Sequence, residues 1–288
     1  MTIGEIVREG LHYARTCRSL WLFGFFVGLS GGGSNGGGGG GGHGSAGSAA
    51  VAGGAAIAGG LQPSLAYVAP IAIVMLLAIT AGLVLRFIGE GALIEGIVRA
   101  RRGVTLTTRE GFRAGWAHWG VLLRIALLYL AASAGSVALL AAPCVMAALT
   151  LGWIAALLLG VPAALIAVPW LITLYLVQAF AARIAVLEDR RALDAIRKAR
   201  LFLHGRLVHG LRLMVATLIG TLVFTVLTVV VVVPVALLLV ALSSVLNVLP
   251  LIVIGCVVLL PVFGVLTAML GTFRSSVWTI GYVTQVDA

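Results

Sequence analysis

Residues 125–182 read IALLYLAASAGSVALLAAPCVMAALTLGWIAALLLGVPAALIAVPWLITLYLVQAFAA, a stretch of 58 residues that contains no Asp, Glu, Lys or Arg. Two further stretches share this property, residues 19–85 and residues 213–273, which are 67 and 61 residues long. A single membrane-crossing helix needs about 20 apolar residues. Each stretch is therefore too long for one crossing and fits two crossings joined by a turn. The pattern predicts three helical hairpins.

The overall composition agrees with an integral membrane protein. Of the 288 residues, 61% are hydrophobic and only 10% are charged, and the mean hydropathy is +1.16. A soluble domain carries about 25% charged residues, and so few charges cannot cover a water-facing surface. We therefore predict a single all-α domain over residues 1–288, a polytopic transmembrane bundle whose six spans lie near residues 13–31, 64–88, 119–142, 152–182, 208–241 and 251–274. The second turn is predicted at Ala142-Pro143.

The distribution of charge predicts the orientation of the chain. All 19 basic and all nine acidic residues lie outside the three charge-free stretches, and hence on one face of the membrane. Loops rich in Lys and Arg remain in the cytoplasm, so we expect a bacterial inner-membrane protein with both termini cytoplasmic. In a soluble protein a net charge of +10 would suggest nucleic acid. Here attraction to anionic lipid headgroups explains it better, and no nucleic-acid partner is expected.

A glycine-rich tract, GGGSNGGGGGGGHGS at residues 31–45, interrupts the first charge-free stretch. A phosphate-binding loop of the Walker type requires a Lys after its glycines, and this tract contains none. We interpret residues 31–60, approximately, as a flexible extracytoplasmic loop. The basic residues before the first span also fit a cleaved signal peptide, but we expect the span to be retained.

Three polar segments precede the hairpins: elbow 1 (residues 2–19), elbow 2 (residues 107–119) and elbow 3 (residues 193–206). Each alternates polar and apolar residues at helical spacing. Thr2 with Glu5 and Thr107 with Glu110 match the capping box that begins a helix. We predict amphipathic helices lying in the cytoplasmic interface, anchored at the headgroup level by the indoles of Trp21, Trp116 and Trp119.

The elbows also resemble one another. The pairs Glu9-Gly10, Glu110-Gly111 and Asp194-Ala195 align, and a second small residue follows four positions after the first, at Ala14, Gly115 and Ala199. The first charge after each hairpin is an arginine. These matches predict three repeats, residues 1–103, 104–189 and 190–288. One hypothesis is that the repeated acids pair with the repeated arginines at the cytoplasmic rim, in a set formed by Glu9, Glu110, Asp194, Arg86, Arg183 and Arg274. Simple solvation is the alternative, since exposed pairs contribute only about 0–1 kcal/mol.

No arrangement of reactive side chains predicts catalysis. Cys17, Cys144 and Cys256 are scattered without metal-ligand spacing, and the three charge-free stretches that form the interiors of the spans contain no Asp, Glu, Lys or Arg that could serve a proton or ion path. We therefore predict no enzyme activity, no cofactor and no metal. The leading function is contact with membrane lipid, or with a membrane protein partner, through the spans and the basic face. The alternative is a permease subunit for an apolar or neutral solute, with a cavity lined by Thr217, Thr221, Thr225 and Thr228.

Several motifs together resemble a known family. The segments LWLFGF (20–25), GALIEGIVRARRG (91–103), REGFRAGW (109–116) and AVLEDRRALDAIRKAR (185–200) are similar to those of uncharacterised bacterial six-span membrane proteins. These proteins are in turn similar to the membrane domain fused to some glycerophosphodiester phosphodiesterases. The resemblance implies a six-helix bacterial membrane domain that lies close to lipid. It does not imply phosphodiesterase activity, because no soluble stretch of these 288 residues is long enough for the catalytic barrel.

Overall fold

The computed structural model describes residues 3–29, 65–104, 107–242 and 248–286. Within these ranges the chain forms eight α-helices and no strand: α1 (Ile3–Thr16), α2 (Arg18–Leu29), α3 (Leu65–Arg101), α4 (Thr108–Leu151), α5 (Trp153–Leu187), α6 (Ala192–Leu203), α7 (Leu207–Leu242) and α8 (Val248–Val286). The predicted glycine-rich loop lies outside the described residues.

Five helices are long and apolar enough to cross a membrane. Their candidate spans are Pro70–Arg101, Thr108–Thr150, Trp153–Leu187, Leu207–Val235 and Leu259–Val286. For the described residues the all-α prediction is confirmed, and so is the presence of helices that could span a membrane by their length and composition. The first predicted span, residues 13–31, is described to residue 29 and comprises the end of α1, Cys17 and α2. The 12 residues of α2 are fewer than the roughly 20 that a crossing needs. A sixth span and the arrangement in three hairpins therefore stay predictions.

The second turn lies nine residues beyond its predicted position. Helix α4 continues through Ala142-Pro143 to Leu151, and Gly152 alone separates it from α5. Gly152 has φ 90° and ψ 174°, a conformation that is essentially restricted to glycine. The prediction of a break at Ala142-Pro143 was wrong. Proline removes one backbone donor, but ending the helix among apolar residues would leave many more backbone groups unsatisfied in lipid.

Elbows 1 and 3 form separate helices, whereas elbow 2 does not. Elbow 1 includes α1, and elbow 3 corresponds to α6 with the turn that follows it. Elbow 2 forms the first turns of α4 and continues into the span without a break. One of the two hydrogen bonds of the predicted capping box is present at this end, because the Thr107 backbone N–H donates to Glu110 Oε2 at 3.1 Å. The prediction of a separate second elbow helix was wrong, since no residue between Gly111 and Leu151 ends the helix.

The described helices divide into two compact units. One unit contains the described residues before Gly120 and those from Leu213 onward, and the other contains Gly120–Arg212. In the first unit α2 packs on both α3 and α8, and α1 packs on α8. In the second unit α6 packs along α5. Two of the elbows are thus held against the last part of a long apolar helix.

Burial is concentrated at one end of the long helices. In α3, residues 70–83 are exposed and residues 87–94 are buried, with Arg86 between them. In α5, most of residues 153–170 are exposed and residues 178–186 are buried. In α8, the buried segment is residues 271–282, interrupted only by the half-buried Arg274. Apolar side chains need no burial where lipid surrounds them, so the packed core lies at and beyond the charged ends of the apolar runs.

The contact between α2 and α8 is a close approach of two backbones. A Cβ added to Gly24 would collide with the Ala268 carbonyl oxygen and with Thr272 Oγ1, and one added to Gly271 would collide with the Gly24 carbonyl oxygen. Gly24 and Gly28 are four residues apart, as in the small-residue motif that joins membrane helices. Only glycine at these positions allows the helices to pack so closely.

Candidate functional site

Each elbow is held in place by its pair of small residues. Gly10 and Ala14 of elbow 1, Gly111 and Gly115 of elbow 2, and Ala195 and Ala199 of elbow 3 are all buried. These are the six positions that align between the three segments. Burial of a small residue brings the elbow backbone close to its neighbour, so the opposite side of each elbow points away from the protein.

Elbows 1 and 2 contact corresponding points on two long helices. In elbow 1, a Cβ added to Gly10 would lie 3.2 Å from Val277 Cγ2 of α8, and Ser276 Oγ donates to the Gly10 carbonyl at 3.4 Å. In elbow 2, Gly115 lies against the Ile88 carbonyl of α3. Ile88 and Ser276 each follow, by two residues, the first arginine after an apolar run. Both elbows therefore sit at the border between apolar and charged sequence.

Elbow 3 packs on α5 within the second unit. The rings of Phe180 and Phe202 lie 5.3 Å apart, and Lys198 Nζ donates to Glu188 Oε1 at 2.7 Å. The same carboxylate accepts from Arg190 Nε at 2.9 Å. Glu188, in the Glu188-Asp189 turn, thus neutralises Arg190 and Lys198. Such ion pairs are typical of a solvated turn and not of two carboxylates that act together in catalysis.

The outward faces of the elbows carry exposed arginines. The helical part of each elbow contributes two exposed arginines, and together they are Arg8, Arg15, Arg109, Arg113, Arg197 and Arg200. Large apolar side chains lie among them, including Phe112 and Trp116 on elbow 2 and Leu193 and Leu201 on elbow 3, all exposed. A helix with cations and large apolar groups on its free face is typical of the membrane interface.

Elbow 2 carries three neighbouring aromatic rings and an open cleft. Phe112 and Trp116 stack with ring centroids 6.0 Å apart, and Trp116 lies 6.2 Å from Trp119. Beside this stack is an open cleft of about 710 Å³ lined by Thr108, Arg109, Glu110, Phe112 and Arg113. The sequence interpretation singled out Trp116 and Trp119 but missed Arg109, Phe112 and Arg113. The sequence could have indicated these three residues, because Arg109 and Arg113, like Phe112 and Trp116, are four residues apart and so lie on one helix face.

The third predicted anchor, Trp21, has a different environment. Trp21 is half-buried, and its indole N–H donates to the Ala14 carbonyl at 2.7 Å. Ala14 is within four residues of the end of α1, where carbonyl groups lack partners inside the helix. Trp21 therefore also caps α1, whereas Trp116 is 54% exposed and can meet headgroups directly.

Glu9 pairs with an arginine outside the predicted set. Glu9 Oε1 lies 3.5 Å from Arg101 Nε, at the end of α3, rather than beside Arg86 or Arg274. The Tyr13 side chain lies close to the Glu9 carboxylate. Burial raises the pKa of the Tyr13 phenol, and the neighbouring Glu9 carboxylate raises it further, so the phenol stays protonated and can donate. This cluster joins α1 to α3.

The other members of the proposed set differ from one another in their surroundings. Glu110 is used in its helix cap, and Arg183 is buried and donates from Nη1 to the Ala179 carbonyl at 2.6 Å. Arg86 and Arg274 are close enough to interact electrostatically, with Glu90 near Arg86. Asp194 is exposed and forms no ion pair within the part of the chain that the structure describes.

The threonines of α7 bond within their own helix. Each hydroxyl donates to the carbonyl about one turn earlier, from Thr217 at 2.7 Å, Thr221 at 2.8 Å, Thr225 at 2.9 Å and Thr228 at 2.8 Å. Thr217 is buried and Thr225 is exposed, so they do not share one environment. Because their protons are used inside the helix, they lend no support to a solute path.

The described residues contain no cluster of three or more His, Cys, Asp or Glu side chains that could hold a metal ion. Cys17 and Cys144 are free thiols and half-buried. The side chain of Cys256 lies outside the description. On α3, Glu95 forms an ion pair with Arg99 one turn later.

Comparison with family models, with curated proteins and with solved structures finds no match. The resemblance to the phosphodiesterase-associated membrane domain stays a prediction, and function must be argued from the elbows themselves.

Proposed function

We propose that this protein is a non-catalytic, multi-pass protein of the bacterial inner membrane that binds anionic lipid headgroups through its elbows, with both termini in the cytoplasm. The observation that carries the proposal is the two-sided structure of the elbows. One side is fixed to the protein by buried small residues, and the free side of each elbow's helical part presents two exposed arginines.

Electrostatic attraction gives this arrangement its affinity. A Lys or Arg close to an anionic membrane surface contributes about 1 kcal/mol, and six exposed arginines make a substantial sum. The exposed Phe112, Trp116 and Leu201 add apolar area that would otherwise face water. Attachment of Gly10 to α8 and of Gly115 to α3 keeps the first two elbows at the end of the apolar runs, where headgroups begin.

The test uses the full-length protein in nanodiscs of mixed phosphatidylglycerol and phosphatidylcholine. Lipids that stay bound after gentle extraction are quantified by mass spectrometry. We expect enrichment of phosphatidylglycerol over its share of the bilayer, and loss of that enrichment in a variant with Gln at the six exposed arginines named above, Arg8, Arg15, Arg109, Arg113, Arg197 and Arg200. Total retained phosphatidylcholine serves as the internal control for extraction. Equal retention of the two lipids by the unmodified protein would refute the proposed function.

A further inference from the structure

Elbow 2 differs from the other elbows in the chemistry of its exposed face. Arg109 and Arg113 are four residues apart, so their side chains share one face of α4. Phe112 and Trp116 alternate with them on that face and are 44% and 54% exposed. At the positions equivalent to these aromatics, elbow 1 has Leu11 and Arg15, and elbow 3 has Ile196 and Arg200. Only elbow 2 combines paired cations with paired aromatic rings.

The two arginines of this face are not neutralised by the protein. Across residues 3–29, 65–104, 107–242 and 248–286, no carboxylate lies within 4.0 Å of either guanidinium. Their nearest acidic neighbour in sequence, Glu110, accepts the Thr107 N–H at the start of the helix. Arg99 and Arg101, in contrast, each have an acidic partner. Like charges one turn apart repel, so a bound anion would relieve the repulsion.

The cleft beside the arginines provides the space for such an anion. Its volume is about 710 Å³, and Arg109, Phe112 and Arg113 line it together with Thr108 and Glu110. The cleft lies at the level where apolar sequence ends. Gly115, two residues after Arg113 on α4, touches Ile88 of α3. Ile88 in turn lies two residues past Arg86, the arginine that ends the apolar run of α3. A ligand here can place its charge in the cleft and its apolar part toward the spans.

We propose that this cleft is a binding site for one phospholipid with an anionic headgroup, a deepening of the proposed function of the elbows and dependent on it. Arg109 and Arg113 hold the phosphate, because guanidinium groups form paired, charge-assisted hydrogen bonds with phosphate oxygens. Phe112 and Trp116 pack against the glycerol and the first methylene groups. A free phosphate would leave both exposed rings without a partner. A zwitterionic lipid brings an ammonium group that the two arginines repel.

The experiment measures lipid binding to the intact, detergent-solubilised protein by native mass spectrometry, with phosphatidylglycerol and phosphatidylcholine as probes. We expect R109Q/R113Q to weaken phosphatidylglycerol binding by about tenfold or more, corresponding to the roughly 1.4 kcal/mol or more of lost charge-assisted bonding. The matched control R197Q/R200Q removes two exposed arginines from elbow 3 and should weaken binding by about threefold at most. F112A/W116A should also weaken it, and R109K/R113K should bind between the Gln variant and the unmodified protein. Inorganic phosphate at millimolar concentration should not displace the lipid.

Each contrary outcome has a distinct meaning. If both arginine pairs weaken binding equally, the elbows bind lipid as proposed but the cleft is not a dedicated site. If the unmodified protein shows no preference for phosphatidylglycerol, the proposed function fails together with the site. If inorganic phosphate displaces the lipid and F112A/W116A binds normally, the site takes free phosphate and the lipid assignment is wrong. A thermal melt of each variant checks that the protein is folded, which the exposure of all four side chains leads us to expect.

Discussion

Replacing Gly24 by Ala should separate α2 from α8. The added methyl group would point at the Ala268 carbonyl oxygen and at Thr272 Oγ1, and a main-chain oxygen cannot rotate out of the way. An ordinary contact requires a separation of about 3.5 Å or more, so α2 must move outward by about 1 Å. That shift loosens Leu20 and Phe23, which are 2% and 3% exposed.

The net effect follows from two opposing terms. Overpacking in a close contact costs about 1–3 kcal/mol, and because the obstacle is backbone we take the upper end. Alanine gains about 1 kcal/mol over glycine in a helix, so the net destabilisation is about 2 kcal/mol. This corresponds to a fall in apparent Tm of roughly 3–4 °C for a chain of this size.

The matched control is Gly82→Ala in α3. A Cβ at Gly82 meets no atom within 4 Å, so only the gain in helix propensity remains, and Tm should stay constant or rise. Both variants are melted in the same detergent by intrinsic fluorescence. Gly271→Ala approaches the same contact from α8, where the added group meets the Gly24 carbonyl oxygen, and should repeat the loss. Equal Tm values for Gly24→Ala and Gly82→Ala would show that the close approach does not exist.

Three further predictions test other parts of the structure. Gly152→Ala should lower the free energy of unfolding, followed by a thermal melt, by about 1–3 kcal/mol because of the backbone conformation at this position. Gly160→Ala, at an open helical site, should cause no such loss. Equal melting temperatures of the two variants would show that the turn lies elsewhere. In a double-mutant cycle, Glu9→Gln and Arg101→Gln should show a coupling of about 0–1 kcal/mol, since the pair is partly exposed; a coupling well above this range would mean that the pair is buried. In a cysteine-free background, Trp153→Cys should react with a membrane-impermeant maleimide added outside intact cells. Labelling only after permeabilisation would show that the chain has the opposite orientation.

Much of the fold follows from where charged residues are absent. Long charge-free runs predict membrane-spanning helices because an ionised side chain in hydrocarbon is costly, and the small-residue pairs of the elbows predict their buried faces. The position of the turn at Gly152 could not be predicted in the same way. Proline is a strong signal in water, where a helix can end freely, but lipid penalises unpaired backbone groups and the helix continues past Pro143.

The location of the packed core could not be predicted from hydropathy. In water the most apolar residues are buried, yet here Leu158 is 76% exposed while Ser276 and Thr279 are 0% exposed. Lipid is as apolar as leucine, so burial follows shape and hydrogen bonding instead. The partner of Glu9 depended on the packing of α1 near the end of α3, and the elbow sequences contain no information about that distance.

Because Gly152 alone connects α4 to α5, the connection cannot adjust its length. An insertion or deletion in either helix cannot be absorbed by a loop, and each added residue would turn everything beyond it by about 100° around the helix axis. Changes in the length of one crossing would then have to be matched by the other. Tolerance of sequence change here should be high for substitutions among apolar residues and very low for changes in length.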